Sequence, residues 1–199
     1  MILVKKFKFF LIILFIFSYA EKSFSIEPNI FVQSTVNRAS DVLGKNYSKT
    51  EKIDKLKFIA KDTVDILGIG YYSLGQHKKN LSDDKKKEYF KIFEEYFLKS
   101  FASRLAEYSN PKIDVISQKK LNEKYTMVHS VLIPIEDREE IIIDWRVNTK
   151  DLKNPLIIDI VIEGVSLAKV QKEEFNSIIL INDGDINALF KSLKDFINK

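Results

Sequence analysis

The 199 residues include no cysteine, a single tryptophan and only two histidines. Without cysteine there is no disulfide framework, no thiolate nucleophile and no cysteine-based metal site. The same absence rules out a lipid-modified N-terminal cysteine. Stability has to come from packing alone. The two histidines, His77 and His129, give no metal-ligand spacing. The six glycines form neither of the common phosphate-cradling loops, and no Gly-x-Ser-x-Gly nucleophile elbow occurs.

What is present begins with a charged and then apolar N-terminus. Lys5, Lys6 and Lys8 precede Phe9 to Phe17, nine apolar residues in a row. A basic stretch, a short apolar core and small residues after it are the order of a secretory signal. The core is shorter than the roughly 20 residues needed to span a bilayer. Cleavage after Ala20 (with Ser18 two positions before it) or after Ser25 (with Ser23) meets the small-residue requirement; an uncleaved anchor is the alternative. The expectation is a signal peptide over 1–25, one domain over 26–199, and a periplasmic location. Intact-mass analysis of periplasmic protein should then find the mature start at Glu21 or Ile26, and a retained Met1 would refute it.

Export changes the charge argument. The whole chain has 32 Lys plus Arg against 28 Asp plus Glu, a formal +4. Removing residues 1–25 takes away four lysines and one glutamate and leaves +1. Most of the basicity belongs to the targeting segment, so charge makes no case for nucleic-acid binding. The remaining length suits one domain with one core.

The first half reads as helical. Pro28 suits a first helical turn, and Ile30, Phe31, Ala39, Val42 and Leu43 form a stripe that stops at Gly44. From near Thr50, Ile53, Leu56, Ala60, Val64 and Leu67 recur at three or four residues. Gly68 to Gly75 interrupts this pattern, either as a kinked continuation or as a short separate turn. Ser82 caps the clearest helix, and Asp83 and Asp84 sit where a helix start favours negative charge. Its face carries Tyr89, Phe90, Phe93, Phe97, Phe101 and Leu105, widened by Ile92 and Tyr96, and the run ends before Asn110-Pro111. This aromatic face has two readings: an ordinary helix–sheet core, which periodicity alone favours, or the wall of a cavity for an apolar ligand.

After Pro111 the period changes to 2. Strands are expected at 113–118, 124–133, 140–147 and 156–163, with 168–171 as a further candidate, separated by polar turns such as Glu136-Asp137-Arg138. The spacing suits antiparallel pairing. Asp185 to Ile197 closes the chain as an amphipathic helix. The fold class is therefore α+β: N-terminal helices packed on a largely antiparallel sheet, with a C-terminal helix.

Few residues offer chemistry. His77, in a lysine-rich stretch, reads as a surface loop residue, and His129 as a half-buried, hydrogen-bonded strand residue. Asp144, Asp159 and Glu163 are imaginable as paired carboxylates, but strand carboxylates more often face solvent or pair with arginine, as Asp144 would with Arg146. Nothing supports an enzyme, a metal or a cofactor. The abundant feature is apolar surface: fifteen phenylalanines, and Trp145 on one strand face with Ile143 and Val147, so that a helix layer and a sheet can leave a pocket between them.

The block Ile158-Asp159-Ile160-Val161-Ile162-Glu163-Gly164-Val165-Ser166-Leu167 resembles the Asp-to-Glu-Gly-Val-Ser block of the MlaC, or toluene-tolerance auxiliary, family. Its continuation through Gln171, Glu173-Glu174-Phe175 and Ile178 also fits. Leu74-Gly75, the charged run to Tyr89-Phe90, and Asp144-Trp145-Arg146 look like further segments of that family. This chain departs from it at Ile157-Ile158-Asp159, where many members carry an aromatic residue before the aspartate. The resemblance implies a periplasmic phospholipid-binding component of the Mla intermembrane lipid transport pathway. It would be a non-catalytic shuttle that takes glycerophospholipid as cargo between an inner-membrane MCE-domain/ABC transporter complex and an outer-membrane lipoprotein complex, acting as a monomer. On that expectation Phe90, Phe93, Phe97, Phe101, Ile143, Trp145, Val147 and Ile160 line an apolar lipid cavity between helices and sheet. The reading from another class is a periplasmic structural or interaction module with an ordinary filled core.

Overall fold

Each helix begins where the sequence supplies a cap or a proline. The computed structural model describes residues 25–109, 111–133 and 139–199. The expected signal peptide, apart from Ser25, and the turn Glu136-Asp137-Arg138 lie outside these. Helix α1 (Pro28–Gly44) starts on its proline. Helix α2 (Lys49–Thr63) starts on a reciprocal capping box: the Ser48 hydroxyl accepts from the Glu51 N–H, and the Glu51 carboxylate accepts from the Ser48 N–H at 2.9 Å. Helix α3 (Ile66–Ser73) is capped by Asp65, which accepts from the Gly68 N–H at 2.8 Å. A 3-10 turn (Gly75–Asn80) leads to the long helix α4 (Asp83–Leu105), with Ser82 as its cap.

Five strands follow as a meander: β1 (Lys112–Lys120), β2 (Tyr125–Ile133), β3 (Ile141–Asn148), β4 (Leu156–Ile162) and the short β5 (Val165–Ser166). All neighbours pair antiparallel in the order β1-β2-β3-β4-β5. Helices α5 (Leu167–Leu180) and α6 (Ile186–Ile197) complete the chain. Among the described residues no helix is long and apolar enough to cross a membrane.

Strand period 2 puts one face of the sheet against the helices. Thr126, Val128 and Ser130 on β2, and Ile143, Trp145 and Val147 on β3, are buried, while the residues between them are half-exposed. Tyr89 and Phe93 of α4 lie at the centre of the main core, and Phe175, Ile179, Leu189, Phe190 and Leu193 bring α5 and α6 into it. A smaller cluster of Leu43, Leu56 and Ala102 joins α1, α2 and α4. The polar groups of this interior are satisfied: the Trp145 indole donates to the Ser130 hydroxyl at 2.9 Å, which donates to the Ile143 carbonyl at 2.7 Å.

Four expectations need correction. The second helical stripe does not run on to Leu67. Val64 turns extended and bridges Ile157 of β4 in parallel, and the Asp65 N–H donates to the Ile157 carbonyl at 2.9 Å. A β-branched residue is well suited to leave a helix for a sheet edge; Leu67 restarts on the outer side of α3, 62% exposed. Residues 168–171 are the first turns of α5, so the sheet is followed by two helices where one was expected. Asp144 does not pair with Arg146: its Oδ1 lies 2.7 Å from Nδ1 of His129, the residue directly opposite on β2. A cross-strand partner at about 5 Å outcompetes a same-strand neighbour two positions away. His77 is half-buried in the 3-10 turn, with Nε2 hydrogen-bonded to Asn176 at 2.9 Å, which ties that turn to α5.

Candidate functional site

Between α4, β4 and α5 the packing leaves a cavity of about 170 Å³. Its α4 wall is the series Phe97, Ser100, Phe101 and Arg104, a helical i, i+3, i+4, i+7 face. The α5 wall repeats that spacing with Leu167, Val170, Gln171 and Glu174, and Ile157 and Ile160 of β4 form the floor. Polar groups from both walls, Arg104 of α4 and Gln171 and Glu174 of α5, border the recess beside these apolar residues. Phe97 and Phe101 stack at 5.6 Å with their planes 8° apart. Tyr96 bridges the two walls through a hydrogen bond from its hydroxyl to Gln171 at 3.2 Å. Burial is the main reason its phenol, like that of Tyr89, is pushed above the ordinary tyrosine range; both stay neutral donors at physiological pH.

The eight residues expected at a lipid cavity are divided by the structure. Phe97, Phe101 and Ile160 line the cavity. Phe90 and Phe93 border a neighbouring recess of about 460 Å³ beside Val64 and Leu67. Ile143, Trp145 and Val147 face the helices, as the strand period predicts, but pack into the core and do not border the cavity. Sequence reasoning missed the entire α5 wall. Its signal was the 3.6 period of Leu167, Val170, Gln171 and Glu174, hidden while Ala168 to Gln171 read as a strand.

The Asp-to-Glu-Gly-Val-Ser block builds the corner that carries this wall. Ile162 pairs directly with Val165, leaving Glu163 and Gly164 as a two-residue hairpin loop with φ of 48° and 80°. Positive φ at both positions is what the preferred hairpin turn requires, and it explains the glycine. Glu163 also extends the ladder: its N–H donates to the Ile142 carbonyl at 3.1 Å and its carboxylate accepts the Ile142 N–H. Asp159, with its side chain 2% exposed, accepts from the Ser166 hydroxyl at 2.7 Å and from the Ala168 N–H at 3.0 Å; Arg146 stands 3.4 Å away. Ser166 caps α5 by accepting from the Lys169 N–H at 3.1 Å. The block is thus a strand-to-helix joint whose buried carboxylate holds the start of α5 against β4.

The Ser166 hydroxyl donates to the Asp159 carboxylate and accepts from the Lys169 N–H, with no histidine or lysine side chain as its partner. Ser166→Ala should cost about 1 kcal/mol of stability through the lost cap and about 1.5–3 kcal/mol through the lost hydrogen bond to buried Asp159, and leave ligand retention by the folded protein unchanged. Thermal denaturation and lipid extraction check this; labelling of Ser166 by a serine-reactive phosphonate would refute it. The His129–Asp144 pair sits on the opposite face of the sheet, and no histidine or lysine lines the cavity. Among the described residues no group of His, Asp and Glu has the arrangement to hold a metal ion.

A helix layer and an antiparallel sheet that leave an apolar recess with a polar rim define a ligand-holding α+β domain. The comparisons give the family. A family model described as MlaC protein matches residues 33–195, and the chain belongs to that family. A solved structure with a similar fold is the phospholipid-binding protein from Ralstonia solanacearum in complex with a phospholipid. It aligns at a TM-score of 0.72 and 15% identity, over 86% of this chain and 97% of that one. No curated protein matches by sequence.

Proposed function

We propose that this MlaC-family member is a periplasmic phospholipid carrier, exported behind residues 1–25 and acting as a monomeric domain over 26–199. It takes a glycerophospholipid from an inner-membrane MCE-domain/ABC transporter complex or returns one to it, and exchanges cargo with an outer-membrane lipoprotein complex. No bond of the cargo is broken. The observation that carries this reading is the largely apolar recess between α4, β4 and α5, bordered by Arg104, Gln171 and Glu174, in a chain of this family. Each buried acyl CH₂ contributes roughly 0.8 kcal/mol, so chains enter readily, and a membrane or a second apolar site accepts them back at similar cost. Transfer is then a hand-off ranked by affinity.

The recess is small for such a cargo. A cavity of about 150 Å³ takes one benzene ring, so about 170 Å³ takes a short stretch of one acyl chain. Two further recesses, of about 460 and 220 Å³, meet the first around the α2–α3 junction: Val64 borders the first two, and Ile69 the first and third. Displacement of that junction would join them into a space of acyl-chain size. The small volume favours the second reading, an interaction module with a filled core, and one measurement separates the two. Native mass spectrometry and lipid extraction of gently purified periplasmic protein should find bound glycerophospholipid. Homogeneous lipid-free protein that also takes up no phospholipid from vesicles would overturn the carrier.

A further inference from the structure

Helix α3 carries apolar and aromatic residues on both its buried and its exposed side. Ile66, Ile69, Gly70 and Ser73 are buried, and Gly70 lies so close to α4 that a Cβ there would meet the Phe93 ring at 2.7 Å. The opposite face shows Leu67, Tyr71 and Tyr72 to solvent, 62%, 44% and 46% exposed. Lysines stand over both rings: Lys78 Nζ is 4.3 Å from the Tyr71 centroid, and Lys172 Nζ is 5.2 Å from that of Tyr72. Lys172 is held there by the 3-10 turn, its side chain packing against Gly75, and exposed Lys79 follows Lys78. The nearby Lys85, Lys86, Lys87 and Lys169 each lie within 4 Å of a carboxylate, whereas Lys78, Lys79 and Lys172 have no ion-pair partner among the described residues.

We propose that the Leu67–Tyr71–Tyr72 face of α3, with Lys78, Lys79 and Lys172, docks on a bilayer surface that contains anionic phospholipid. Tyrosine sits at headgroup level, with its ring toward the hydrocarbon and its hydroxyl in water. An exposed leucine one helical turn away extends the apolar body, as on interfacial helices, and the unpaired ammonium groups match the phosphate layer above it. A near-neutral net charge gives no long-range attraction, but three clustered lysines act within a Debye length of about 8 Å. The same helix borders the cavity through Ile69, so docking by α3 brings the exchange site to the lipid surface.

Sedimentation with phosphatidylcholine vesicles, with and without phosphatidylglycerol, tests this without reference to bound cargo. The protein should bind only the anionic vesicles, and binding should vanish between about 0.05 and about 1 M salt. Each lysine near an anionic surface is worth about fivefold in partitioning, so K78E/K79E/K172E should lose at least about a hundredfold. L67S/Y71S/Y72S should lose binding on the same vesicles, while K150E/K153E, on a distant loop, should not. Lys79→Ala keeps the test decisive if a multiple variant unfolds, because its fivefold loss is read on a folded protein. Wild-type protein that ignores anionic vesicles, equal binding to neutral ones, or full binding by the folded variants would overturn the proposal. So would retention by an acidic protein without vesicle binding.

Discussion

Trp145→Ala is expected to lower folding stability by about 3–5 kcal/mol, read as a drop in denaturant midpoint at unchanged slope. The indole is 8% exposed in the main core and does not border the cavity, so its removal leaves a void in packed protein. The variant should therefore lose stability first and ligand retention only as a consequence. Trp145→Phe separates the two parts of the loss. It keeps most of the ring but removes the donor to Ser130, and should cost about 1 kcal/mol for the hydrogen bond plus a smaller packing penalty. A midpoint for Trp145→Ala close to wild type would mean that the ring is not core-packed.

The largest effect on cargo is expected from Phe97→Asp. Phe97 lines the cavity between Phe93, 5.9 Å away ring to ring, and the stacked Phe101. A carboxylate there joins a lining that includes Phe101, Ile157 and Ile160, and burying it without a partner costs several kcal/mol. On the carrier reading the purified variant should carry little or no phospholipid by native mass spectrometry while remaining cooperatively folded. Asp84→Lys, at an exposed position in the first turn of α4 with only a surface pair to Lys87, should keep its full lipid content. Phe101→Asp serves as a second cavity probe if the first variant unfolds. Wild-type lipid content in folded Phe97→Asp would remove this cavity as the site of the chains.

Much of the fold was legible because its elements carry strong local signals. Pro28, Ser82 with Asp83 and Asp84, and the alternation around Trp145 placed α1, α4 and β3 close to where they lie. The readings that failed did so where a short segment is ruled by a distant partner. Val64 leaves its helix because Ile157 offers a strand edge. Ala168 to Gln171 was ambiguous as a short apolar run, and it is helical because Ser166 and Asp159 cap that start. Asp159 read as an ordinary strand carboxylate; its burial depends on donors from Ser166, Ala168 and Arg146, which only the folded hairpin assembles.

Sequence by itself determined the α+β class, the antiparallel meander, the face of β3 that turns inward and the family. These follow from periodicity, caps and a contiguous motif, all of which are local along the chain. Tertiary structure alone decided which aromatic residues of α4 are core and which are cavity wall. Phe93 and Phe97 share one helical face at i, i+4, yet Phe93 packs against Tyr89 and Phe175 and borders the neighbouring recess, while Phe97 lines the cavity with Ile160. Periodicity reports which way a side chain points; whether an atom waits on the far side depends on how closely α5 and β4 approach, and that distance is set by contacts many residues away.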